Sequence, residues 1–222
     1  MIVAERKPLG EILEMVKDHK KILILACRGC VTVCSAGGER EAEILASLIR
    51  LGMKKMGKKA TVIEGSLVRQ CDKEYIDTID DWKGQYDAII SIACGVGVNF
   101  IANLRPGDNV YPGLNTTFFG GSVQQGIWSE QCAGCGNCVL HLTGGLCPVA
   151  RCAKSLMNGP CGGSVDGRCE INKHVDCVWQ MIYDRMGRLD RQDEMQVSAP
   201  IRDWSVAGHG GPRKQTRDDL TV

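Results

Sequence analysis

Lys21–Cys27, KILILAC, is a short unbroken apolar run, the pattern of a parallel strand covered on both faces. Upstream, Leu9, Ile12, Leu13 and Val16 recur at helical spacing and predict an amphipathic helix over residues 9–19. Downstream, past Gly37 and Gly38, residues 39–56 predict a longer helix with Ile44, Leu45, Leu48, Ile49 and Met53 on one face and Gly57 as its stop. Residues 60–64 and 87–93 read as further strands, 98–104 as a helix, and 109–114 as a short edge strand weakened by Pro112. Strand alternating with helix predicts a small parallel α/β sheet, Rossmann- or flavodoxin-like, with right-handed crossovers.

That sheet would gather cysteines that are distant in sequence. Cys27, Cys30 and Cys34 fall at or just past the end of the first strand, Cys71 follows the second, and Cys94 ends the third. All five belong at the carboxyl edge, where ligand sites collect in open parallel sheets. Four ligand positions leave one cysteine spare, and Cys27, inside the strand's end, is the first to drop. The competing reading makes Cys71 and Cys94 small buried apolar residues. Gly95 and Gly97 suggest a dinucleotide loop only weakly, because Phe100 stands where the fingerprint wants a third small residue.

Residues 128–178 hold eight of the chain's thirteen cysteines. Cys132, Cys135 and Cys138 stand two residues apart, and Cys147 directly precedes Pro148. Such a run can bring three thiolates from one tight loop onto an iron–sulfur cube, with a fourth, more distant thiolate closing it. Gly134 and Gly136 suit that loop. Zinc is the competing metal, although a zinc ribbon usually presents two separate knuckles. Cys152, Cys161, Cys169 and Cys177 suffice for one more centre, either as their own quartet or interleaved with the first, and their long gaps also suit a structural zinc. His141 and His174 are substitute ligands to consider.

Residues 1–114 thus form an α/β domain with a centre at its strand ends, and 115–186 a Cys-rich, ferredoxin-like, largely irregular and helical metal-binding domain. Residues 187–222 read as a polar tail, with Ile201 and Trp204 as anchors if it docks on a partner. Phe118, Phe119 and Trp128 fall in the Gly-rich stretch joining the domains. Lys54, Lys55, Lys58 and Lys59 read as a solvated helix end, with docking of an acidic electron carrier as the sharper alternative.

Composition narrows the function classes. With 27 basic and 26 acidic residues the net charge is +1, which indicates neither nucleic acid nor an anionic membrane as partner. No stretch approaches a membrane span or a signal peptide, so a cytoplasmic location is expected. In a reducing cytosol thirteen cysteines, an odd number, point to metal or redox chemistry rather than disulfides. No acid/base or nucleophile set is evident, which leaves an electron conduit, a zinc-stabilised assembly subunit without redox role, or a thiol-based redox sensor.

The segments CRGCVTVCSAGGERE, VRQCDKEYI, IACGVGVNF, WSEQCAGCGNCV and CPVARCAKSLMNGPCGG together resemble the small V-type subunit of acetogen methylenetetrahydrofolate reductase, a family also found as the C-terminal domain of fused reductases. The resemblance runs from about Lys21 to about Asp190. It implies an iron–sulfur subunit with two or three [4Fe–4S] clusters, zinc replacing one of them as an alternative. The implied partner is a flavin-bearing TIM-barrel subunit that reduces 5,10-methylenetetrahydrofolate to 5-methyltetrahydrofolate in the Wood–Ljungdahl route of one-carbon metabolism. Ferredoxin or a further redox subunit would donate the electrons. This chain alone would be non-catalytic, and it shows no folate or flavin pocket of its own.

Overall fold

Side chains that alternate along the central strand set the layers of the first part of the chain. The computed structural model describes residues 1–208 and 211–219 and divides into two units, Met1–Ser129 and Glu130–Val222. Its strands are β1 (Ile2–Arg6), β2 (Lys21–Cys27), β3 (Thr61–Leu67), β4 (Ala88–Ile92), β5 (Val110–Pro112), β6 (Leu114–Gln124) and β7 (Ile127–Cys132). The helices are α1 (Leu9–Val16), α2 (Cys30–Val33), α3 (Glu39–Lys55), α4 (Lys73–Asp77), α5 (Gly95–Leu104), α6 (Pro148–Arg151) and α7 (Val178–Arg188).

Four strands form a parallel sheet in the order β3-β2-β4-β5. Ile22, Ile24 and Ala26 of β2 bury one face against Ile12 and Val16 of α1 and Ala46, Ile49 and Met53 of α3. Leu23 and Leu25 bury the opposite face with Ile76 of α4, Ile79, Ile89 and Ile101 of α5. A strand buried at every position after Lys21 is therefore sandwiched between two layers, which is the mixed α/β architecture expected of it.

The inward stripe of α3 is Ala42, Ala46, Ile49 and Met53, while Ile44 and Leu48 remain about two-fifths exposed. The predicted stripe was rotated because small alanines, which carry little hydrophobic signal, let the helix sit close to the sheet. Gly37 is a second close approach: a Cβ there would stand 1.9 Å from the Ile92 carbonyl oxygen. Only a residue without a side chain leaves this loop room to lie over the end of β4.

A second sheet, β1-β6-β7, was not legible. β1 pairs antiparallel with β6, Ile2 opposite Phe119 and Arg6 opposite Leu114. Residues 115–130, read as a linker, are thus mostly strand, and the first unit runs to Ser129.

The second unit has a small core, Val178, Trp179, Ile182 and Met186 of α7, with Leu146, Cys152, Cys177 and Met195 packed on it. The rest is loops, short helical turns and two isolated bridges, Val165 to Arg168 and Arg168 to Asp176. Its last stretch is not simply unpacked: Arg202 and Ala207 are buried, whereas Ile201, an expected anchor, is fully exposed and Trp204 is partly so. The part of the predicted tail at residues 209–210 and 220–222 lies outside the described residues. No helix among the described residues is long and apolar enough to cross a membrane.

Candidate metal centres

Strand order turns at β2, with β3 on one side and β4 on the other, and the carboxyl ends of these strands carry the first group of thiols. Cys27 closes β2, Cys94 immediately precedes α5, and Cys71 lies between β3 and α4. Loss of solvent raises the Cys71 thiol above its usual pKa, and the thiolates of Cys27 and Cys94 push it further. The sulfurs of Cys27 and Cys94 are thus each within electrostatic reach of Cys71.

Gln70 holds this edge together. Fully buried, it donates from Nε2 to the Leu25 carbonyl (2.8 Å) and accepts from Ser91 Oγ at its Oε1 (2.6 Å). One side chain thereby ties the loop bearing Cys71 to both β2 and β4. Cys30 opens α2, half-buried. Cys34 is buried and turned elsewhere, its thiol directed at the carbonyls of Ala4 (3.7 Å) and Val31 (3.5 Å). The structure therefore turns the Cys34 thiol away from the other sulfurs of this edge. The reason is β1, which supplies the Ala4 carbonyl.

In the second unit, the loop from Cys132 to Cys138 turns through two left-handed glycines, Gly134 (φ 62°) and Gly136 (φ 84°), a conformation a Cβ would strain. The turn aims the Gly134 N–H at Cys132 Sγ (3.3 Å). Cys135 is half-buried and accepts at its sulfur from the Arg202 guanidinium, 2.7 Å from Nη2. Cys132 and Cys138 are exposed, and Cys147 is the residue before α6, with Pro148 as the first helical position.

Cys152, Cys161, Cys169 and Cys177 line one cavity of about 20 Å³, together with Lys154 and Glu170. Helix ends bring two of them there: Cys152 follows α6 and Cys177 precedes α7. A tight strand-like turn brings the others, with Cys169 N–H on Val175 O (2.9 Å) and Cys177 N–H on Gly167 O (2.7 Å). Backbone N–H groups of Asn172 and Ile171 draw the Cys169 thiol below its usual pKa, and Gly163 N–H lies 3.5 Å from Cys161 Sγ. N–H groups directed at sulfur stabilise the thiolate, the form that binds metal.

Among the described residues, no group of three or more His, Cys, Asp or Glu side chains is drawn closely enough together to hold a metal ion, and the cysteines are all unpaired. The donor sets themselves, thiols on glycine turns with amides and a guanidinium aimed at sulfur, fit a thiophilic metal or iron–sulfur group. His141 and His174 are exposed and outside the lining of the quartet's cavity. The basic cluster behaves as a helix end: Lys54 and Lys55 close α3 and Lys58 pairs with Asp18 at 2.7 Å.

Comparison with known families bears on this cysteine-rich part. Residues 111–205 match the methylene-tetrahydrofolate reductase C terminal family. The matched stretch contains all eight cysteines of the second unit and Arg202 as well. It associates the chain with methylenetetrahydrofolate reductase. No curated protein and no solved structure matches the chain. The residue that sequence reasoning missed is Arg202, whose only local signal was a lone cation between Ile201 and Trp204 in a polar tail.

Proposed function

We propose that this chain is the iron–sulfur electron-transfer subunit of a methylenetetrahydrofolate reductase complex. It would relay electrons to the flavin of a TIM-barrel partner that reduces 5,10-methylenetetrahydrofolate to 5-methyltetrahydrofolate. The observation that carries the reading is the placement of eight unpaired cysteines, with amide and guanidinium donors directed at their sulfurs, inside the stretch that matches the reductase family. Cys132, Cys135, Cys138 and Cys147 form one ligand set; Cys27, Cys71 and Cys94, with Cys30 beside them, form another at the sheet edge. When bound, [4Fe–4S] groups supply one-electron steps, and a flavin can collect two such electrons before passing them on together. The protein's share is to hold the thiolates and supply N–H donors. An electron-donating protein such as ferredoxin fits the remaining role, and a cytoplasmic setting suits unpaired thiols.

The long gaps between Cys152, Cys161, Cys169 and Cys177 suit a single tetrahedral ion, zinc. The alternative, a zinc-stabilised assembly subunit with no redox role, extends that observation to the whole chain. Anaerobic purification with iron, sulfide and zinc quantitation separates the two. Brown protein bleached by dithionite, co-purifying with a flavoprotein, is expected; colourless protein with stoichiometric zinc overturns the conduit. Cys135→Ser should remove about four irons and stop reduction of the partner flavin, with the α/β unit still folded by circular dichroism.

A further inference from the structure

We infer that Arg202 is a positioning residue for the Cys132–Cys138 centre: its guanidinium is the counter-cation to the thiolates, held there by the end of the chain folding over the loop. The inference rests on the proposed metal-binding role of that loop and adds a residue, and a segment, to it.

Arg202 is 7% exposed, an unusual state for a guanidinium, which stays charged at any ordinary pH. Nη2 donates to Cys135 Sγ at 2.7 Å and approaches the Cys135 carbonyl oxygen at 3.4 Å. Nε and Nη1 are buried with no hydrogen-bond partner. A buried cation left with two unused donors is strongly destabilising unless an anion completes it. Cys135 supplies one such charge as a thiolate, and further sulfur acceptors at the same loop would satisfy the remaining donors.

The surrounding contacts fix this arrangement. Trp204 lies under the guanidinium, 4.4 Å from its carbon to the ring centroid, which leaves the in-plane N–H groups free for the loop. Arg213 donates to the carbonyls of Val206 (2.7 Å) and Gly134 (3.1 Å). The Val206 carbonyl in turn sits 2.5 Å from where a Cβ on Gly136 would be. The tail is therefore built against both glycines of the cysteine loop, and Arg202 is the side chain that it delivers.

A cation beside a ligand sulfur favours the more negative, reduced state of an iron–sulfur centre and so raises its potential. It also slows escape of the metal by covering the thiolates. The test compares anaerobically purified wild type with Arg202→Gln, Arg202→Lys and Arg213→Gln, reading two quantities: the midpoint potential by redox titration, and the rate of metal transfer to a chelator. Arg202→Gln should lower the potential of one centre and speed metal release about tenfold. Arg202→Lys, which keeps the charge, should stay nearer wild type in potential. Arg213→Gln, which loosens the tail but touches no sulfur, should speed release and leave the potential alone.

An iron-loaded Arg202→Gln protein with wild-type potential and release rate overturns the inference. If Arg202→Gln cannot retain metal, Arg202→Lys decides: retention supports a role for the charge, and failure of both variants refutes it. A wild type that holds zinc and no iron defeats the electron-transfer reading instead, and the release rates still judge Arg202.

Discussion

The two groups of thiols are held by opposite means. At the sheet edge, Cys27 is the buried end of β2 and Cys94 is buried just past β4, both strands mostly apolar, so hydrophobic packing positions these two sulfurs whether or not a metal is bound. In the second unit the core is four residues of one helix, and most of the cysteines are exposed or half-buried on glycine turns and short loops. There, the free energy of binding a metal would be free energy of folding. On the proposed reading, a metal would be a passenger at the sheet edge and part of the scaffold in the second unit.

Removing metal should make the largest distinction. Anaerobic chelation is expected to abolish amide-exchange protection across residues 130–207 while β2 and β4 keep theirs. Equal loss in both units, or in neither, would break the comparison. Next, Gly37→Ala should destabilise the first unit by about 3 kcal/mol, because its Cβ meets a backbone carbonyl at 1.9 Å and the end of β4 must shift. Urea unfolding of the first-unit signal reads this directly. Gln70→Ala should cost about 1–3 kcal/mol by leaving the Leu25 carbonyl and Ser91 hydroxyl buried without their partner. It should also reduce metal content at Cys71, since the loop loses its tie to both strands. The smallest effect is expected from Cys34→Ala, which should leave metal stoichiometry at the sheet edge unchanged; a lost centre would return Cys34 to the ligand set.

The legible parts of the chain were those with a local period. KILILAC declares a strand buried on both faces, and the spacing of Leu9, Ile12 and Val16 declares a helix. Thus the parallel sheet and the placing of Cys27, Cys71 and Cys94 at one edge followed from local pattern. β1 did not: Ile2, Val3 and Ala4 make too short an apolar run, and their pairing partners begin at Leu114. Because β1 was missing, the contact of the Cys34 thiol with the Ala4 carbonyl could not be foreseen. The loop at Cys132–Cys138 was legible in its glycines, whose positive φ values the structure bears out. Its contact with the tail was hidden, since Arg202 lies far beyond it in sequence and no periodicity marks a single cation that folds back.

By itself the sequence determined the α/β class, the thiol-rich second half and the turns on which its first cysteines stand, because hydrophobic period and glycine geometry act over a few neighbouring residues. Only the tertiary structure decided that the Cys34 thiol turns to the Ala4 carbonyl and that a guanidinium from the tail is buried against Cys135. Those outcomes depend on strand pairing and burial between segments distant along the chain, where a residue's role is set by what arrives beside it.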